Sequence, residues 1–147
     1  MGNGIFYTDT GSGRPVIFIH GYCETHHIWD EYSRKLSKSH RIITIDLPGF
    51  GKTPLPTHPF TLEDIAASIH EQLTILGVGQ HVMIGHSLGG YIALAYVKKF
   101  PDEIRGFGLF HSSALADTPE KKETRTKLID FISEKGVPPF IQNFIPS

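Results

Sequence analysis

The sequence predicts an α/β fold, a mostly parallel sheet with helices on both faces, and three observations carry that expectation. Short β-branched and aromatic runs recur between residues 15 and 110. Amphipathic stretches with a 3.6-residue period lie between them. The connections are long, a dozen residues or more, which suits right-handed crossovers between parallel strands rather than tight hairpins.

"PVIFI" at Pro15 to Ile19 reads as a buried strand closed by Gly21. An approximate helix from Ile28 to Leu36 follows, with Trp29, Tyr32 and Leu36 on one face. "RIITI" at Arg41 to Ile45 is a second buried strand, and it runs into "DLPGFGKTPLPTHP", whose prolines and glycines preclude regular structure. Helix returns at Thr61, whose hydroxyl can cap it. Leu62, Ile65, Ala66, Ile69, Leu73 and Leu76 then recur at spacings of three and four until Gly77. His81 to Ile84 is the third buried strand, Leu88 to Phe100 the next helix, ended by Pro101, and Ile104 to Phe110 the fourth strand. Residues 4 to 8 are expected to add an antiparallel edge strand. Thr118 and Pro119 open a charged helix in which Leu128, Phe131 and Ile132 share one side before Gly136. The closing "VPPFIQNFIPS" receives no element from its local pattern, and Phe140, Ile141, Phe144 and Ile145 stand there with nothing after them to cover them.

With 147 residues, 39% of them hydrophobic and 20% charged, the chain has the composition of one globular domain. A chain of this size can bury roughly 70% of its unfolded surface, so neither a metal nor a disulfide framework is required. Cys23 is the only cysteine, which fits a reducing compartment. A formal net charge of −1 provides no field for phosphate backbones or anionic lipid. "MGNGIFYTDTG" has neither the basic start nor the apolar core of a secretory signal, and Phe6 stands where a myristoylation pattern wants Ser or Thr. No apolar stretch approaches the roughly 20 residues of a membrane helix. The expectation is a soluble, cytoplasmic protein with no nucleic-acid or membrane partner, no metal and no cofactor.

Chemistry concentrates at "GHSLG", residues 85 to 89, which matches G-x-S-x-G between a buried strand and a helix. Such a turn forces the serine into a crowded backbone conformation, and Gly85 and Gly89 remove the side chains that would collide. Ser87 would then project at a helix N-terminus, where free N–H groups favour developing negative charge. A serine attacking a carbonyl also needs two N–H donors aimed at the oxyanion. Leu88 N–H is the first candidate, and Tyr22 N–H, after His20 and Gly21 in "FIHGYCE", is the second.

"VIFIHG", "DLPGFGKT" and "MIGHSLGGYIAL", in this order, resemble the oxyanion strand, glycine loop and nucleophile elbow of the α/β-hydrolase family, in the branch with a helical cap. The resemblance covers residues 4 to about 115, and the remainder is similar to the first cap helices. It implies an incomplete hydrolase core over 1–115 and a truncated cap over 116–147. Serine at the nucleophile position implies hydrolysis of an ester, thioester or lactone through an acyl-enzyme, and argues against the haloalkane dehalogenase and epoxide hydrolase branches. In the family pattern the acid and histidine follow later strands. The implied partners are therefore a small acyl substrate and a complementary C-terminal polypeptide, or self-association through the open edge of residues 104–110. The 147-residue chain alone is expected to be inactive.

Local substitutes for the triad are weaker. His86 adjoins Ser87, but neighbours on a sharp turn point apart, so it reads as a packing or hydrogen-bonding residue. His20 reads as orienting the oxyanion loop. His111 and Asp117 are minor candidates for base and acid. His26, His27, His40, His58, His70 and His81 read as surface or helix-face residues, Cys23 as a small buried hydrophobe, and Asp46 as a brace for the glycine loop. "DLPGFGKT" ends like a phosphate-binding loop, but Asp46 replaces its first glycine and Pro54 and Pro56 prevent the required helix. A non-catalytic ligand-binding protein on the same fold is the competing reading.

Overall fold

The structure is a computed structural model that describes residues 4–144. The chain divides into two compact units, Met1–Ala114 and Leu115–Ser147.

In the first unit, strand β1 (Tyr7–Thr10) leads to β2 (Arg14–Ile19). A 3-10 turn (His26–Trp29), helix α1 (Asp30–Leu36) and β3 (His40–Ile45) follow. After the irregular segment come α2 (Leu62–Ile75), β4 (His81–His86), α3 (Leu88–Lys99), a short 3-10 turn (Pro101–Glu103) and β5 (Ile104–Phe110). The sheet order is β1-β3-β2-β4-β5, with only β1 antiparallel to its neighbour.

Alternation along the strands divides the core into two layers. Ile17, Ile19, Ile43, Ile45 and Met83 pack with Ile65, Ile69 and Leu73 of α2 and Ile92, Ala93 and Tyr96 of α3. Val16, Phe18 and Ile42 point to the other face, against Trp29, with Leu36 of α1 alongside. Helices therefore cover both faces, as the α/β pattern requires. Thr61 caps α2 by a capping box: its hydroxyl accepts from Asp64 N–H at 3.2 Å, and the Asp64 carboxylate accepts from Thr61 N–H at 2.9 Å.

Several boundaries differ from the sequence expectation for physical reasons. The edge strand occupies 7–10 rather than 4–8, because pairing with β3 begins at Tyr7↔Ile45. The helix expected from Ile28 begins as a 3-10 turn at His26, where the Thr25 side chain accepts from His27 N–H. Tyr32 of that helix is 47% exposed and meets Trp29 edge-on. β4 runs on to His86, since β5 pairs with it as far as His86↔Phe110.

In the second unit, Thr118 caps α4 (Pro119–Lys135), and Gly136, at φ 80°, ends it. A further helix, α5 (Val137–Phe144), occupies the segment that the local pattern left unassigned. Pro138 and Pro139 fall in its first turn, where no intrahelical N–H is needed. Phe140, expected to stand uncovered, is buried, and Ile141 is half-buried. The side chain of Phe144, and Ile145, lie outside the described residues.

Candidate active site

Parallel register brings the two candidate loops together. Ile19 of β2 is paired with Gly85 of β4, so His20 and Gly21 leave the sheet beside His86 and Ser87. The chain passes from β2 to β3 on one side and reaches β4 on the other. The carboxyl ends of β2 and β4 therefore flank the point where strand order reverses, the usual place for a ligand in such sheets.

Ser87 has φ 49° and ψ −112°, a conformation that costs a residue other than glycine about 1–3 kcal/mol and persists only when neighbours hold it. Its N–H donates to the carbonyl of Phe110 at 3.0 Å, and its carbonyl accepts from the Ser112 hydroxyl at 2.8 Å and from Gly90 N–H at 3.0 Å. The side chain is half-buried and makes no capping bond to α3. A side chain at Gly85 would collide with the backbone of Gly89, and one at Gly89 with the carbonyls of Ile19 and His20. The two glycines of the motif thus let α3 start directly against the ends of β4 and β2. Leu88, the first residue of α3, is half-buried, and its N–H is among the terminal donors that the helix itself cannot satisfy.

His20 is fully buried between two backbone groups. Its Nε2 accepts from Leu47 N–H at 2.9 Å, so the proton sits on Nδ1, which donates to the carbonyl of Gly21 at 2.7 Å. Burial pushes the pKa of His20 below the ordinary imidazole value, in spite of the Gly21 bond and the nearby Asp46 and Glu24 carboxylates. The Gly21 carbonyl and the Tyr22 N–H belong to one planar peptide and point in opposite directions. His20 therefore fixes the direction of the Tyr22 N–H. The Tyr22 ring is 40% exposed and stands edge-on to Phe50 at 5.6 Å.

Sequence reasoning passed over Glu24. One of its carboxylate oxygens, Oε2, accepts from Gly21 N–H at 2.6 Å and from the Nδ1 of His86 at 2.7 Å. His86 is thus committed away from Ser87. Asp46 is buried and does brace the glycine loop, accepting from Lys52 N–H at 2.9 Å, but it also holds His26 through its N–H at 2.7 Å and its ring at 2.8 Å. Burial works to raise the Asp46 carboxyl, and these hydrogen bonds outweigh it, leaving the group below its ordinary value.

A sequence profile of the alpha/beta hydrolase fold matches residues 14–128. The chain belongs to the α/β-hydrolase fold family. A thermophilic esterase from Thermogutta terrifontis is 32% identical, with a TM-score of 0.88 over 96% of this chain and 52% of that one. An N-acyl homoserine lactone degrading enzyme is 25% identical, with a TM-score of 0.76 over 88% of this chain and 50% of that one. The (lyso)-N-acylphosphatidylethanolamine lipase of Bos taurus is 32% identical over 62% of this chain and 28% of its own length. The α/β-hydrolase chain described here thus spans about half of these solved structures and about a third or less of this curated relative.

Other expectations about this α/β-hydrolase need correction. His26 and His81 are buried rather than on the surface: His26 is 5% exposed against Asp46, and His81 is fully enclosed at the start of β4, donating through Nδ1 to the Gly79 carbonyl at 2.9 Å. Cys23 is half-buried rather than core, at φ 60°, and burial followed by the nearby Glu24 raises its thiol above the ordinary value. His111 is exposed, at φ 46°, and Asp117 is bound to Arg125 at 2.6 Å within the second unit. Among the described residues, His20, His26, His27, His40, His70, His81 and His86 all have hydrogen-bond partners other than the Ser87 hydroxyl. Among the described residues no cluster of three or more His, Cys, Asp or Glu could hold a metal ion, and no helix is long and apolar enough to cross a membrane.

Proposed function

We propose that this chain carries the nucleophile and oxyanion site of a serine hydrolase that cleaves an ester, thioester or lactone through an acyl-enzyme. The single observation that carries the reading is Ser87 at φ 49°, held by both its N–H and its carbonyl beside the peptide that His20 orients. A serine with no chemical role would not need so strained a backbone at this position.

In the reaction, Ser87 Oγ attacks the acyl carbon and its proton passes to a base. The carbonyl oxygen becomes the oxyanion, stabilised by the N–H groups of Tyr22 and Leu88. Collapse breaks the bond to the alcohol or thiol, which takes the proton, and water then releases the acid from Ser87. The base and its acid come from residues outside 1–147. Two observations support this assignment: seven of the nine histidines, all but His58 and the exposed His111, are held by partners other than the Ser87 hydroxyl, and this chain covers 52% and 50% of the solved relatives. By the same family pattern, residues 116–147 are assigned to the beginning of a helical cap. β5 ends the strand order with Phe107 and Phe110 exposed, which supports pairing of this edge with a further polypeptide; sedimentation of residues 1–147 as a stable monomer would count against that pairing.

Labelling the full-length protein with a fluorophosphonate tests the assignment. The adduct is expected on Ser87 and lost in Ser87→Ala. A folded full-length protein that stays unlabelled would favour the competing reading, a ligand-binding member of the fold.

A further inference from the structure

We propose that Glu24 and His86 form a clasp that sets the spacing of the two oxyanion donors, so that Glu24 is a positioning residue for the hydrolysis assigned to Ser87, the reading on which this inference rests. Both bonds converge on one oxygen, Oε2 of Glu24, from Gly21 N–H at 2.6 Å and from His86 Nδ1 at 2.7 Å. A carboxylate only accepts, so the His86 hydrogen sits on Nδ1 and points at Glu24. The bond to His86 joins residues separated by 62 positions, one in the loop after β2 and the other at the end of β4.

Gly21 is thereby tied on both sides. Glu24 holds its N–H and His20 holds its carbonyl at 2.7 Å. A Cβ at Gly21 would stand 2.8 Å from Glu24 Oε2, 2.8 Å from His86 Nδ1 and 3.1 Å from Ser87 Cβ, so the loop is seated against the elbow with no slack. The next N–H along the chain belongs to Tyr22, while the Leu88 N–H moves with α3. The clasp therefore sets one donor relative to the other.

Bond strength to a developing oxyanion falls steeply when a donor is displaced, whereas ground-state substrate binding does not depend on it. Loss of Glu24 should reduce kcat more than it raises KM. A purely structural tie predicts something different. Both side chains are about a quarter exposed, at 22% for His86 and 27% for Glu24, and a pair this wet contributes little to folding.

The experiment uses the full-length protein, p-nitrophenyl acetate as substrate and a trifluoromethyl ketone as a reversible tetrahedral adduct of Ser87. Glu24→Ala is expected to lower kcat about tenfold to a hundredfold, with KM within about threefold, and to weaken the ketone by the same factor as kcat/KM. Glu24→Gln, whose amide oxygen can accept both bonds, is expected to recover most of that loss. Glu24→Ala combined with His86→Ala should cost no more than the worse single change. A folded Glu24→Ala with unchanged kcat, or one whose kcat falls without a matching loss of ketone affinity, overturns the clasp. If Glu24→Ala does not fold, His86→Ala decides: a fall in kcat of threefold or more upholds the clasp and an unchanged kcat overturns it. A wild-type protein that neither turns over the ester nor binds the ketone would remove the Ser87 assignment as well, whereas an active wild type with an indifferent Glu24→Ala removes the clasp alone.

Discussion

The Ser112 hydroxyl donates to the Ser87 carbonyl across 2.8 Å, while Phe110, two residues earlier, accepts the Ser87 N–H at 3.0 Å. Between them His111 has φ 46°, beside φ 49° at Ser87. The turn after β5 thus grips the elbow after β4 at both of its polar groups. Ser112→Ala is expected to destabilise the fold by about 1 kcal/mol, the usual net worth of one internal hydrogen bond, as measured by urea unfolding. An unchanged unfolding midpoint would show that Gly90 N–H alone suffices for the carbonyl.

The sign of a second substitution pair reports on backbone strain. At an ordinary position glycine is less stable than alanine by about 0.5–1 kcal/mol. At Ser87, with φ 49°, the order reverses: Ser87→Gly is expected to be more stable than Ser87→Ala by about 0.5–1 kcal/mol. Thermal unfolding of the two variants makes the comparison, and a more stable alanine variant would mean that the turn relaxes.

Acid weakens the fold through two buried imidazoles. Burial lowers the pKa of His20 and of His81 below 6.5, so the unfolded chain binds these protons more readily than the folded one. Stability from both groups is complete above pH 6.5 and declines as pH falls from there toward the folded-state values. Urea midpoints measured between pH 7.5 and 5 should drop accordingly. His81→Asn, which can still donate to the Gly79 carbonyl, should flatten that slope, and a slope unchanged by the replacement would remove His81 from the account.

Thr61 and Asp64 satisfy each other's backbone N–H groups at the start of α2. Thr61→Ala is expected to cost about 1 kcal/mol, while Thr61→Ser should be nearly neutral. Equal losses in the two variants, read by denaturation, would show that the Thr61 methyl rather than its hydroxyl is what matters.

The elbow was legible because its steric demands are written as glycines on either side of one serine. The same holds for α2, whose apolar period, Thr61 cap and closing Gly77 agree with one another. Reading failed where partners are distant or where a local rule has an exception. Glu24 meets His86 across 62 residues, and Ser112 reaches Ser87 across 25, so no window along the chain contains either pair. Pro138 and Pro139 usually mark the end of a helix, yet at the first turn of α5 they are compatible with its start. His26 and His81 look like surface residues by type; a buried Asp46 and the Gly79 carbonyl supply the partners that allow their burial.

β2 and β4 each have a paired strand on both sides. Amide protons of the strand residues that lead into Gly21 and Ser87 are therefore expected to be among the slowest of this unit to exchange with solvent. Substitutions in the surrounding loops can then alter what borders Ser87 while the strands beneath it keep their register.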